Sequence, residues 1–121
     1  MNEQEKKGII PVVLVSDIDT AKSFYIDFLD MTIVREGRDF LVLQYNEGII
    51  CLEQHLFLPE QTQCNLHIRI FVDNVKVYHN RAREKNIAIK QLIQNTSSGY
   101  REFIVTDPFG TKIRIAAEVN E

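Results

Sequence analysis

The sequence predicts an α+β fold made of two tandem β-α-β-β-β units, roughly residues 9–57 and 64–118, within a single domain spanning residues 1–121. Three observations predict it. Alternating runs flank the turn Asp107-Pro108-Phe109-Gly110, from Tyr100 to Thr106 and from Lys112 to Ile115, which reads as a β-hairpin. A similar strand, turn, strand order ends the first half, with Phe40 to Tyr45, Asn46-Glu47-Gly48 and Ile49 to Glu53. Each half also opens on a β-run followed directly by a capped stretch of helical spacing.

In order along the chain, Ile9 to Val15 reads as a strand, with Pro11 confining it to an edge or placing Pro11 near its beginning. Asp17 is a helix N-cap, and Ile18, Ala21, Tyr25, Phe28 and Leu29 form one apolar stripe behind it. Met31 to Val34 is a short strand before the first hairpin. In the second half Leu66 to Val72 is a strand, Asp73 caps a helix carrying Val75, Tyr78 and Ala82, and Ile87 to Ile89 is a short strand. Gln94 to Gly99 is a polar loop before the final hairpin. The halves divide around Leu58 to Gln63, a polar stretch with a proline. Asp17-Ile18 corresponds to Asn74-Val75, so the repeat is about half the chain.

Composition restricts function. With 45% hydrophobic and 26% charged residues over 121 positions, the chain can bury a core. No run approaches the ~18 apolar residues of a membrane span, and the polar start is no signal peptide, so the expectation is a cytoplasmic protein with no membrane partner. The formal charge of −3 gives nucleic acid no basic surface to bind. Cys51 and Cys64 form no paired metal or redox motif, and Cys51 reads as a small buried strand residue. No nucleophile pairs with a base by spacing, and the glycines mark turns rather than a phosphate loop, so no catalytic residue and no cofactor are expected.

Strand alternation sorts side chains onto two faces. Leu66, Ile68, Ile70 and Val72 share the face that packs beneath a helix, leaving His67, Arg69 and Phe71 opposite. Ile113 and Ile115 face the core while Lys112 and Arg114 face away. Glu102, Ile104 and Thr106 lie opposite Phe103 and Val105, and Cys51 and Glu53 lie opposite Ile50 and Leu52. Tyr25, Phe28, Tyr78 and Phe103 are core by periodicity. Phe71, Phe57 and Tyr100 are placed to stack against a ligand. Phe109 is a turn residue, and His79 is expected in solvent.

The paired units, with Val-Ser-Asp-Ile-Asp-Thr-Ala-Lys-Ser-Phe-Tyr at 15–25 and Asp-Pro-Phe-Gly-Thr-Lys-Ile at 107–113, resemble the vicinal oxygen chelate superfamily of glyoxalase I, bleomycin-resistance proteins and extradiol dioxygenases. The resemblance implies a curved mixed sheet around a ligand cleft, helices on its outer face, and completion in a homodimer. It does not imply one chemistry, because the fold hosts many. In metal-dependent members, side chains on the first and last strand of each unit hold a divalent ion. Carried onto this chain, those positions are Ile10, Glu53, His67 and Arg114. Ile10 has no donor atom and Arg114 is a cation without a lone pair, so no metal is expected.

The resulting expectation is a metal-free protein binding a small organic molecule through His67, Arg69, Phe71, Arg114, Glu53, Glu102, Phe57 and Tyr100. Arg114 then either clamps an anionic group of the ligand or pairs with Glu53 as a structural bridge. A metal-dependent lyase, isomerase or dioxygenase is one alternative, and a dimeric scaffold without a ligand is another.

Overall fold

A computed structural model describes residues 8–57 and 66–119 as two units of like topology. In the first, β1 (Val12–Val15) is followed by α1 (Ile18–Lys22), which widens into a π-helical turn over Ser23–Phe28. Then come β2 (Thr32–Glu36), β3 (Phe40–Tyr45) and β4 (Gly48–Gln54). The strand order is β1-β4-β3-β2, with β1 parallel to β4 and the other pairs antiparallel. The second unit repeats this with β5 (His67–Phe71), α2 (Val75–Glu84), β6 (Ile89–Asn95), β7 (Tyr100–Thr106) and β8 (Lys112–Glu118), in the order β5-β8-β7-β6. The strands thus form two four-stranded mixed sheets, as expected of tandem β-α-β-β-β units.

Each sheet buries one face beneath its own helix. In the first unit Val13, Val15, Leu41, Leu43 and Leu52 are fully buried, as are Ala21, Tyr25, Phe28 and Leu29 from the helical segment. In the second, Phe103, Val105, Ile113 and Ile115 are fully buried together with Ala82. Removing this apolar surface from water is the main favourable term holding each unit together. The core aromatics Tyr25, Phe28, Tyr78 and Phe103 lie where periodicity puts them.

The turns follow side-chain chemistry. Asp107 is buried, and its Oδ1 accepts from the backbone N–H of Phe109 at 2.9 Å and of Thr111 at 2.8 Å. Gly110 takes a φ of +98°, where a Cβ would be strained. In the first hairpin the left-handed position is Asn46, with a φ of +52°, and not Gly48, which already belongs to β4. Asparagine tolerates that conformation because its short amide can bond locally.

Several element boundaries differ from expectation, each for a local reason. β1 begins at Val12, because Pro11 has no N–H for the ladder, although its carbonyl still accepts from Cys51 at 2.9 Å. Asp17 does cap α1, accepting from Thr20 N–H at 2.9 Å. The cap of α2 is Asn74, whose Oδ1 accepts from Lys76 N–H at 3.0 Å, and not Asp73. β6 starts at Ile89 and runs through Asn95, so the loop before the final hairpin shortens to residues around Ser97 and Gly99. Two register shifts between β6 and β7 let that polar strand stay paired. His79 is not fully solvated: it is half-buried, edge-on to Phe103 with ring centres 5.0 Å apart. The expected division at Leu58 to Gln63, and Cys64 with it, lie outside the described residues. No helix among the described residues is long and apolar enough to cross a membrane.

Candidate functional site

The face of the second sheet turned away from α2 carries a connected polar cluster. Its geometry follows from strand register. β5 pairs with β8 in parallel so that Arg69 lies directly beside Arg114, and His67 beside Lys112. Like charges side by side on neighbouring strands repel, and a carboxylate within reach of both offsets that cost. Glu102 on β7 is that carboxylate. The antiparallel pairing of β7 with β8 sets it opposite Ala116, one row along from the arginines, and Ala116 also lies opposite Phe71. The methyl group of Ala116 leaves room for both guanidinium groups to reach across.

Arg69 Nε donates to Glu102 Oε1 at 3.1 Å, and Arg114 Nη1 donates to Glu102 Oε2 at 2.5 Å. The Glu102 side chain is 0% exposed, while Arg69 and Arg114 keep 33% and 28% of theirs in solvent. A carboxylate buried this completely is costly unless paired and hydrogen-bonded, and both of its oxygens are engaged. Arg114 Nε donates in addition to His67 Nδ1 at 2.9 Å. That bond requires an unprotonated Nδ1 and leaves Nε2 as the protonated nitrogen. Partial burial holds the His67 pKa below the ordinary histidine value, and the charges of Arg114 and Lys112 push it the same way against the opposing pull of Glu102.

Aromatic rings border this cluster. Arg69 lies over the face of Tyr100, with Cζ 4.9 Å from the ring centre, and Tyr100 meets Phe71 edge-to-face at 5.0 Å. Phe71 is 44% exposed, large for an apolar ring on a sheet surface.

The first unit has a different open face. A cavity of about 620 Å³ opens there, in the size range of small-molecule pockets. Two cross-strand rows form its floor: Val12, Cys51, Val42 and Arg35 in one, Glu53 and Phe40 in the next. Arg35 lies over the Phe40 ring at 5.3 Å, and Glu53 approaches His55 Nε2 at 3.8 Å. Cys51 is half-buried against this cavity rather than buried in the core.

Of the eight residues singled out from sequence, six converge in the second unit: His67, Arg69, Phe71, Tyr100, Glu102 and Arg114. Glu53 lines the cavity of the first unit. Phe57 follows β4, is 90% exposed and is not among the lining residues. Of the two alternatives for Arg114, a ligand clamp or a bridge to Glu53, the bridge takes a different carboxylate: Arg114 pairs with Glu102, on the strand next to it. Sequence reasoning did not assign Phe40, Arg35 or Asp39 to a site. Their signal was available for Phe40, which alternation places on the same face as Val42.

The side chains at the family's metal positions do not fit a divalent ion. Ile10 offers only carbon, Arg114 brings a positive charge already held by Glu102, and the Nδ1 lone pair of His67 is taken up by Arg114. Among the described residues, no three of His, Cys, Asp or Glu gather into a metal-binding group.

Paired β-α-β-β-β units, each with an open sheet face lined by polar and aromatic side chains, define the class. Residues 10–115 match the model of the Glyoxalase/Bleomycin resistance protein/Dioxygenase superfamily, and the chain belongs to that family. Among solved structures, a bleomycin resistance determinant encoded on the transposon Tn5 superposes with a TM-score of 0.76 at 17% identity, covering 95% of this chain and 100% of that one. A bleomycin-binding protein complexed with bleomycin gives 0.73 at 18% identity, with 96% and 100% coverage. TioX from Micromonospora sp. ML1 gives 0.74 at 16%, with 93% and 100%. At these identities the likeness is one of fold. A comparison with curated proteins found no match.

Proposed function

We propose that the protein is a metal-free member of this family that binds a small organic molecule in a cleft completed by a second copy of the chain, sequestering a drug or metabolite rather than transforming it. The observation that carries this reading is the cavity of about 620 Å³ on the open face of the first sheet, where apolar Val12, Val42 and Phe40 stand beside the polar groups of Arg35, Asp39, Glu53, Gln54 and His55. Exposed apolar side chains on both open faces support completion by a second copy, since Val12 is 46% and Phe71 44% exposed. The unsuitable donor set at Ile10, His67 and Arg114 supports binding without a divalent ion. The bleomycin-binding relative gives the reading a precedent in the fold, and names no ligand for this chain.

The test is a screen of small organic probes by methyl chemical shifts of Val12 and Val42, repeated after dialysis against a chelator. Probes that move these signals equally before and after dialysis are the expected result. Failure of every probe, or binding that vanishes with the chelator and returns with a divalent metal, would overturn the reading.

A further inference from the structure

The charge balance on the open face of the second sheet is incomplete. Among the described residues, Glu102 is the only carboxylate within ion-pair distance of Arg69 or Arg114, so one buried negative charge meets two guanidinium groups. Each guanidinium has five N–H donors. Arg69 uses Nε on Glu102, and Arg114 uses Nη1 on Glu102 and Nε on His67; no described residue accepts from the remaining N–H groups. Both side chains are still about a third exposed. His67, with Nδ1 accepting, presents only its Nε2–H. The polar groups facing outward from this cluster are therefore donors, with one positive charge in excess, and a buried carboxylate fixes their directions in advance.

Preorganised guanidinium groups suit a planar oxyanion, which accepts paired parallel N–H bonds. The ring of Phe71, half-exposed and edge-on to Tyr100, stands in the row next to them. Lys112 adds positive charge on the His67 side, while Glu118, opposite Tyr100, marks the acidic end of the same face. We infer that this face is a binding site for an aromatic carboxylate, its oxyanion held by Arg69 and Arg114 and its ring laid against Phe71 and Tyr100. The inference rests on the small-molecule reading and assigns a class of ligand to the face of the second sheet, where that reading drew on the cavity of the first.

The probes are 1-naphthoate and its neutral counterpart 1-naphthalenemethanol, followed through the arginine Nε–H signals and the ring signals of Phe71 and Tyr100. Naphthoate should move the Nε–H signals of Arg69 and Arg114 and both rings, and should bind at least about tenfold more tightly than the alcohol, the value of one charge-assisted bond. Arg69→Gln and Arg114→Gln, each confirmed folded by circular dichroism, should each lose about tenfold in affinity for naphthoate. Equal binding of acid and alcohol, or arginine signals that stay still in the unmodified protein, would overturn the inference, and that readout needs no variant to fold. Competition by inorganic phosphate as strong as by naphthoate would overturn its aromatic half. Naphthoate moving only Val12 and Val42 would also overturn it, while leaving the small-molecule reading intact.

Discussion

Arg114 and His67 are joined by a hydrogen bond of 2.9 Å from Nε to Nδ1, so the lone pair of His67 Nδ1 is occupied by the guanidinium of Arg114. A protonated imidazole has no such lone pair. The bond and the positive charge behind it both favour neutral His67.

His67 should accordingly titrate below the ordinary histidine value, in the direction that burial, Arg114 and Lys112 all impose. The unfolded chain then takes up a proton at a pH where the folded protein still refuses it. Stability contributed through His67 is therefore flat above the ordinary value and falls as pH drops toward the lowered one. Imidazole proton shifts across about pH 5 to 8 follow the titration. Arg114→Gln should raise the midpoint, and the pH-dependence of urea unfolding should shrink in His67→Gln. A midpoint unchanged by Arg114→Gln would show that the arginine does not control this group.

Glu102→Ala should destabilise the second unit by about 3 kcal/mol, because it leaves Arg69 and Arg114 side by side with no carboxylate between them. The figure sits at the low end for buried pairs because both guanidinium groups reach solvent. Combining Glu102→Ala with Arg69→Leu should recover part of the loss. Urea denaturation of the single and double variants measures this, and a double variant no more stable than Glu102→Ala would mean that the two arginines do not repel.

Asp107→Ala should cost about 2 kcal/mol, since it strands the backbone N–H groups of Phe109 and Thr111 that share its Oδ1. Asp107→Asn should lose less, as an amide oxygen still accepts. Thermal unfolding of the two variants gives the order, and equal losses would assign the effect to charge instead.

Sedimentation at micromolar concentration should show a homodimer. Replacing the exposed Val12 and Phe71 with serine together should shift the distribution toward monomer while leaving the helix content unchanged. A chain that sediments as a monomer at every concentration would remove the second copy from the cleft.

Much of the fold was legible in the sequence because it depends on local chemistry. Alternation in Leu66 to Val72 and in Lys112 to Ile115 assigns faces residue by residue, and the Asp-Pro-Phe-Gly turn places Asp107 and Gly110 in their roles. The repeat of a capped helix after each opening strand gave the two-unit plan. Boundaries were less legible: β6 continues through Asn95 because ladder pairing with β7 outweighs the loop-like composition of its end.

The partner of Arg114 was decided only in three dimensions. Sequence alone determined that His67, Arg69, Glu102 and Arg114 share a face, since side chains on a strand alternate whatever the strand pairs with. It could not determine which row each occupies, because register depends on how separate strands slide against one another. The observed register sets Arg69 beside Arg114 and puts Ala116 opposite Glu102, and so gives both arginines to a buried carboxylate, where one of the two sequence readings paired Arg114 with Glu53. Tertiary structure made that choice because a negative charge within reach of both offsets the repulsion between two guanidinium groups adjacent on a sheet.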